Sequence, residues 1–122
     1  MAEVVLVAED EAILQRLMTR VLEGAGFEVV TVASGDAALE ALQENPARFV
    51  AVVLDAGIAP RGAEPVLRHL LDAGRALRVV LSSGADIDPA LRDLLEEVGG
   101  DFLPKPYAPD ALLTAVRASV HP

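Results

Sequence analysis

Short apolar runs alternate with amphipathic stretches along the whole chain. The runs are rich in valine and leucine, a composition typical of strands that are buried on both faces of a parallel sheet. Between the runs, apolar residues recur at helical spacing. The pattern predicts five strands, at residues 3–8, 27–32, 49–54, 77–81 and 101–104. It predicts five helices, at about residues 12–24, 35–44, 63–73, 89–98 and 109–120.

Strands that alternate with helices through short connections indicate a parallel sheet covered on both faces. Because crossovers are right-handed, five such units favour the flavodoxin-like doubly wound α/β fold, (βα)5, with strand order 2-1-3-4-5. The sequence has no internal repeat, linker or low-complexity tract, so we expect one domain over residues 1–122. The apolar arc of the first helix is wider than a core face needs. Ile13 and Leu22 lie at its edges, and we expect one of them to be exposed or to meet a partner.

Composition narrows the classes of function. Hydrophobic residues make up 52% of the chain and aromatic residues 3%, which predicts an aliphatic core. Ten basic and nineteen acidic residues give a net charge of −9, and this charge argues against nucleic-acid binding by the domain. The absence of cysteine is compatible with a reducing compartment. No signal-like or membrane-spanning run is present, so we expect a cytoplasmic protein without a membrane anchor.

Polar residues stand where four of the predicted strands end. These are the first, third, fourth and fifth strands. In the order 2-1-3-4-5 they are neighbours about 5 Å apart, so their C-terminal ends lie along one edge of the sheet, which we call the rim. Close carboxylates repel one another unless a cation lies among them, and oxygen ligands suit Mg²⁺. A carboxylate beside Mg²⁺, a hydroxyl and an ammonium is a setting for phosphoryl transfer to the carboxylate. Each of these residues alone could be an ordinary turn or surface residue, but their joint placement at the strand ends favours a phosphoryl-transfer site. The candidate residues are Glu9, Asp10, Asp55, Ser82, Ser83 and Lys105.

With these residues in place, the chain resembles the receiver domain of bacterial two-component response regulators over essentially its whole length. The resemblance rests on four motifs: Val-Ala-Glu-Asp-Glu at 7–11, Val-Val-Leu-Asp at 52–55, Val-Val-Leu-Ser-Ser-Gly at 79–84 and Phe-Leu-Pro-Lys-Pro-Tyr at 102–107. It implies that Asp55 accepts a phosphoryl group from a histidine kinase or histidine phosphotransferase. It further implies a signalling domain with slow autodephosphorylation rather than an enzyme.

The resemblance also implies the metal ligands. Asp10 and Asp55 would bind Mg²⁺ together with the backbone carbonyl of Gly57, and Glu9 would act through water. The family usually has aspartate where this chain has Glu9, so the geometry around the metal is expected to differ. The loop after Asp55 also departs from the family pattern, because Ala59 stands where a proline is usual and Pro60 follows it.

Further implied roles concern the phosphoryl group and the output. Ser83 and Lys105 would bind the phosphoryl oxygens, Phe102 occupies the place of the aromatic switch residue, and the bond before Pro106 would be cis. Output would pass to a downstream protein through the fourth helix, fifth strand and fifth helix. We expect a monomer or a weak homodimer, and the initial Met1 favours a stand-alone protein.

Three alternative hypotheses for the function involve the same residues. A degenerate receiver would keep the fold and act as a protein-interaction module without phosphorylation; Glu9 and the unusual loop favour it, and the intact site residues oppose it. A haloacid-dehalogenase-type phosphatase needs a second aspartate two residues after the first, where this chain has Gly57. A flavin binder would need a Ser/Thr/Gly-rich loop after the first strand, where this chain is acidic.

Overall fold

The computed structural model describes residues 3–74 and 77–118. Its strands pair in parallel in the order β2-β1-β3-β4-β5, which confirms the predicted flavodoxin-like topology. The strands are β1 (Val4–Ala8), β2 (Glu28–Val32), β3 (Phe49–Asp55), β4 (Arg78–Ser83) and β5 (Asp101–Pro104). The helices are α1 (Ala12–Gly24), α2 (Gly35–Glu44), α3 (Glu64–Ala73), α4 (Pro89–Glu97) and α5 (Pro109–Arg117). The predicted end of the last helix at Val120 lies outside the described residues.

Two central strands continue past their apolar runs. β3 includes Asp55, and β4 includes both Ser82 and Ser83, because the backbone ladder extends beyond the last apolar side chain. Asp55 pairs in register with Ser82, and the Ala56 N–H donates to the Ser82 carbonyl at 2.8 Å. The sheet itself therefore fixes the Asp55 backbone.

The core lies in two aliphatic layers, one on each face of the sheet. Side chains from the central strands alternate between the layers, as the two-residue period of a strand requires. The layer under α2, α3 and α4 includes Leu6, Val52, Leu54, Ile58, Leu67 and Leu81. The layer under α1 and α5 includes Val5, Val7, Met18, Leu22, Val53, Val80 and Leu112. Burial of each such side chain contributes roughly 1.5–3 kcal/mol, so these layers are the main stabilising contribution to the fold.

Local signals set several element ends. Ser34 caps α2 by accepting from the Ala37 N–H at 3.0 Å, and Asp88 caps α4 by accepting from the Leu91 N–H at 2.9 Å. Both side chains satisfy a backbone donor that the first turn of a helix leaves unpaired. These two caps fix the residues at which α2 and α4 begin.

Exposure varies more than the apolar runs suggest. β2 is an edge strand and is only half-buried, and Val50 in β3 is exposed. On α1, Leu22 is fully buried whereas Ile13 is 69% exposed, so one edge of the wide apolar arc does face solvent. None of the helices in the described ranges is long and apolar enough to cross a membrane.

Candidate functional site

Three carboxylates meet at the C-terminal edge of the sheet. β1 leads into Glu9 and Asp10, and β3 ends at Asp55. One carboxylate oxygen from each residue lies within 4.8 Å of the other two. Glu9 is buried, Asp55 is half-buried and Asp10 is exposed, so the cluster opens to solvent on the Asp10 side.

A lysine from the neighbouring strand end lies among these carboxylates. The Lys105 N–H donates to the Ser83 carbonyl at 2.8 Å, which extends the pairing of β4 and β5 and directs the side chain toward the rim. Its Nζ donates to Glu9 Oε1 at 2.9 Å and to Asp55 Oδ1 at 3.1 Å. The protein therefore supplies one of the cations that close carboxylates require.

The pKa values of Glu9 and Lys105 reflect this packing. Burial raises the pKa of the Glu9 carboxyl above 4.5, although Lys105 and the Glu11 N–H oppose the shift. Burial acts to lower the pKa of Lys105, but its hydrogen bonds to Glu9 and Asp55 outweigh it, and the pKa rises above 10.5. Lys105 is thus a charged ammonium at neutral pH, while the buried Glu9 carboxylate carries an electrostatic cost that a further cation would relieve.

Both oxygens of the Glu9 carboxylate accept hydrogen bonds. Lys105 occupies Oε1, and the Glu11 N–H donates to Oε2 at 3.1 Å. Gln15 on α1 also contributes: its Nε2 donates to the Glu9 carbonyl and, at 3.3 Å, to the Val32 carbonyl at the end of β2. The sequence analysis missed Gln15, because an amide on a predicted helix gives no signal that it reaches back to two strand ends.

The two serines that end β4 lie in different surroundings. Ser82 is completely buried, whereas Ser83 is half-buried at the rim, where its Oγ accepts from the Ala85 N–H at 3.1 Å. Within the described ranges, the Ser83 hydroxyl makes no hydrogen bond to Asp55 or Lys105. Ser83 therefore presents at the rim a hydroxyl that is not bonded to either residue.

The remaining residues predicted for the site lie around it. Gly57 is exposed, and a side chain there would meet no atom within 4 Å, so the position is open to solvent. Phe102 is half-buried against the core layer under α2, α3 and α4. The Lys105–Pro106 bond is cis, and so is the Ala59–Pro60 bond, which nothing in the sequence analysis predicted.

Backbone hydrogen bonds hold the unusual loop after Asp55. The Ile58 N–H donates to the Asp55 carbonyl at 3.2 Å, and the Ala63 N–H donates to the Ala56 carbonyl at 3.1 Å. Ile58 itself is completely buried and anchors the loop in the core. Arg61 forms an ion pair of 2.8 Å with Asp36 on α2. These contacts give the loop a defined conformation, although its sequence departs from the family pattern.

The donor set fits Mg²⁺. All three carboxylates offer hard oxygen ligands, the chemistry that Mg²⁺ prefers over softer ligands. The exposed Asp10 leaves space for the water molecules that this ion retains. With both Glu9 oxygens already hydrogen-bonded, the direct protein ligands would come from Asp10 and Asp55.

Comparison with known proteins gives the family. The sequence model of the response regulator receiver domain family matches residues 5–117. The transcriptional regulatory protein CutR of Streptomyces coelicolor is 34% identical over 116 residues, which are 93% of this chain and 52% of CutR. The DNA-binding response regulator MtrA of Mycolicibacterium paratuberculosis is 32% identical over 119 residues, 97% of this chain and 51% of MtrA. The chain thus spans about half the length of these curated relatives.

Solved structures agree on the fold. The chemotaxis protein CheY4 of Vibrio cholerae superposes with a TM-score of 0.82 at 22% identity, covering 96% of this chain and 98% of CheY4. Receiver domains are signalling modules of two-component systems that interact with histidine kinases and bind Mg²⁺ at an acidic pocket. The family match over nearly the whole chain agrees with the acidic rim and its lysine, and this chain belongs to the response regulator receiver domain family.

Proposed function

We propose that this receiver domain accepts a phosphoryl group on Asp55 from a phosphohistidine donor, a histidine kinase or a histidine phosphotransferase, and passes the signal on by protein–protein contact. The observation that supports this best is the bridge that Lys105 forms between Glu9 and Asp55. It places a cation against the reacting carboxylate without removing that carboxylate from solvent, since the Asp55 side chain is 16% exposed.

The transfer breaks the phosphorus–nitrogen bond of the donor histidine and forms a phosphorus–oxygen bond at Asp55. Lys105 holds Oδ1, so we assign the new bond to Oδ2. Bound at Asp10, Asp55 and the Gly57 carbonyl, Mg²⁺ would neutralise charge that develops on the phosphoryl oxygens. Ser83 and Lys105 would then donate to those oxygens, and Glu9 would act on the metal through water.

A groove beside the site offers a surface for the donor. One wall comes from α1, with Leu14, Leu17 and Met18, and the other from the segment around Pro106 and Tyr107; the groove holds about 590 Å³ and reaches Lys105. Leu17 is 53% exposed at its rim. An apolar groove that opens onto the phosphoryl acceptor suits a protein donor, because apolar contacts there would position the phosphohistidine for in-line transfer.

Labelling by acetyl phosphate with Mg²⁺ tests the chemistry. We expect the wild type to be labelled and Asp55→Asn to remain unlabelled. Asp72→Asn makes the same chemical change at an exposed position on α3 and should label like the wild type. Equal labelling of wild type and Asp55→Asn would refute the proposal, and no labelling of any variant would favour the degenerate receiver.

A phosphotransfer assay against a panel of histidine kinases then identifies the donor. Leu17→Glu places a charge on the exposed face of α1 without disturbing the core. It should reduce the rate of transfer from the kinase at least several-fold and leave labelling by acetyl phosphate unchanged. Equal loss in both assays would contradict a docking role for the groove.

A further inference from the structure

Gln15, near the start of α1, fastens the end of β1 to the end of β2. Its side chain is half-buried, and its Nε2 donates to the Glu9 carbonyl and, at 3.3 Å, to the Val32 carbonyl. Its own backbone N–H donates to the Glu11 carbonyl at 3.0 Å. One residue therefore contacts the backbone on both sides of Asp10.

The Gln15 amide lies where the pairing of β1 and β2 stops. The last bond of this pairing runs from the Glu9 N–H to the Val32 carbonyl at 3.1 Å. In the described part of the chain, no backbone N–H donates to the Glu9 carbonyl, so the Gln15 amide is its hydrogen-bond donor there. Because the amide bridges the two carbonyl oxygens, it fixes the orientation of the peptide group that joins Glu9 to Asp10.

That peptide group carries two of the three carboxylates at the rim. The Glu9 and Asp55 carboxylates both accept from Lys105, which holds them in place. The Asp10 side chain is exposed, and among the described residues no hydrogen bond or ion pair holds it. One of its oxygens nevertheless lies within 4.8 Å of the other two carboxylates. The position of the Asp10 carboxylate therefore depends on its backbone, which Gln15 fixes.

We propose that Gln15 is a positioning residue for the metal, which holds the Glu9–Asp10 peptide so that the Asp10 and Asp55 carboxylates favour Mg²⁺ over the larger Ca²⁺. The inference rests on the proposed function. Mg²⁺ requires near-ideal octahedral geometry at about 2.0–2.1 Å, whereas Ca²⁺ accepts irregular geometry at about 2.3–2.6 Å. Hydrogen bonds that fix the ligands of a metal without touching it commonly control its affinity. A fixed Asp10 serves Mg²⁺, and a mobile Asp10 would still serve Ca²⁺.

Calorimetric titration of the full chain with Mg²⁺ and with Ca²⁺ tests this role. Gln15→Met keeps the length of the side chain and removes the donor. It should weaken Mg²⁺ binding by about 3- to 10-fold, as expected for loss of one or two hydrogen bonds, and Ca²⁺ binding by less than about 2-fold. Gln43→Met makes the same change at an exposed position on α2 and should bind both ions like the wild type.

Two further variants separate positioning from folding. Gln15→Arg retains N–H donors on a long side chain and should restore the preference for Mg²⁺ to within about 2-fold of the wild type. Gln15→Ala, a good helix former, should show the same loss of preference as Gln15→Met and replaces it if methionine prevents folding in EDTA. A purely structural role would lower the thermal midpoint in EDTA and leave the ratio of the two affinities unchanged.

The outcomes distinguish this inference from the proposed function. Equal changes in Mg²⁺ and Ca²⁺ affinity, or no change in either, would overturn the role of Gln15 and leave phosphoryl transfer to Asp55 standing. Absence of Mg²⁺ binding by the wild type would overturn the proposed function and the inference together.

Discussion

At the scale of single residues, Glu9 distinguishes this site most clearly. Its carboxylate is buried, shared between Lys105 and the Glu11 N–H, and close to Asp10 and Asp55. Within the cluster, three carboxylates face a single ammonium, so the protein alone leaves excess negative charge at the rim. A divalent cation would balance that charge, which explains physically why the domain should be more stable with Mg²⁺ than without it.

The raised pKa of Glu9 predicts how stability depends on pH. The folded protein holds the Glu9 proton at pH values where the unfolded chain has lost it, so this residue's contribution is full below about pH 4.5 and falls as the pH rises through the folded pKa. Denaturant titrations in EDTA should show the unfolding free energy of wild type, measured relative to Glu9→Gln, decreasing across that range. A difference in unfolding free energy between wild type and Glu9→Gln that does not change with pH would contradict the prediction. At saturating Mg²⁺, this difference should decrease less as the pH rises.

At the scale of the elements, the loop between β3 and α3 depends on one glycine. Gly62 has a φ of +73°, a conformation that residues with a side chain rarely adopt, and an added Cβ would lie 3.3 Å from the Ala56 carbonyl oxygen. Its N–H donates to the Ile58 carbonyl at 2.7 Å, so Gly62 also closes the turn. The conformation of Gly62 therefore holds the segment that carries the Gly57 carbonyl.

Replacement of this glycine should weaken the fold. We expect Gly62→Ala to lower the unfolding free energy by about 1–2 kcal/mol, because alanine is disfavoured at positive φ. Gly24→Ala is the matched control: this residue ends α1 with no atom within 4 Å of an added Cβ, and alanine should leave stability unchanged or raise it by up to about 1 kcal/mol. Chemical denaturation of both variants measures the difference, and equal effects would refute the role of Gly62.

At the scale of the whole molecule, one buried arginine links the sheet to the last helix. Arg78 begins β4 and is only 2% exposed, and its Nε donates to the Ala115 carbonyl near the end of α5 at 2.7 Å. Its Nη2 donates to the Asp101 carboxylate at the start of β5. The guanidinium therefore holds together β4, β5 and α5, two of which belong to the face expected to carry the output.

The two ends of this ion pair should contribute unequally to stability. Asp101→Ala leaves a buried cation with little compensation, and we expect a loss of about 2–4 kcal/mol. Arg78→Met should cost less, because Asp101 is 53% exposed and water can solvate it. Asp93→Ala, at an exposed position on α4 outside any ion pair in the described ranges, should change stability by less than about 0.5 kcal/mol. Thermal or denaturant unfolding would contradict the prediction if Arg78→Met were the more damaging change.

Sequence periodicity was sufficient for the order of the elements and the topology. Valine-rich runs and amphipathic helices joined by short connections allow few arrangements, and right-handed crossovers reduce these further. The same reasoning placed Glu9, Asp10, Asp55 and Lys105 at one rim, because the C-terminal ends of parallel strands meet there. Element ends were less certain, since the backbone pairing at Asp55 and Ser82 continues past the apolar side chains that mark a strand.

The amino-acid sequence by itself therefore determined the fold, the acidic rim and the family resemblance, since all three follow from local patterns and strand order. Only the tertiary structure showed which partners the polar and charged groups choose: Lys105 lies between Glu9 and Asp55, Gln15 bonds to two strand ends, and Arg78 pairs with Asp101. Such pairings depend on the side-chain reach and burial of residues far apart in the chain. No local periodicity encodes them, because they form only once the sheet and its helices have brought the strand ends together.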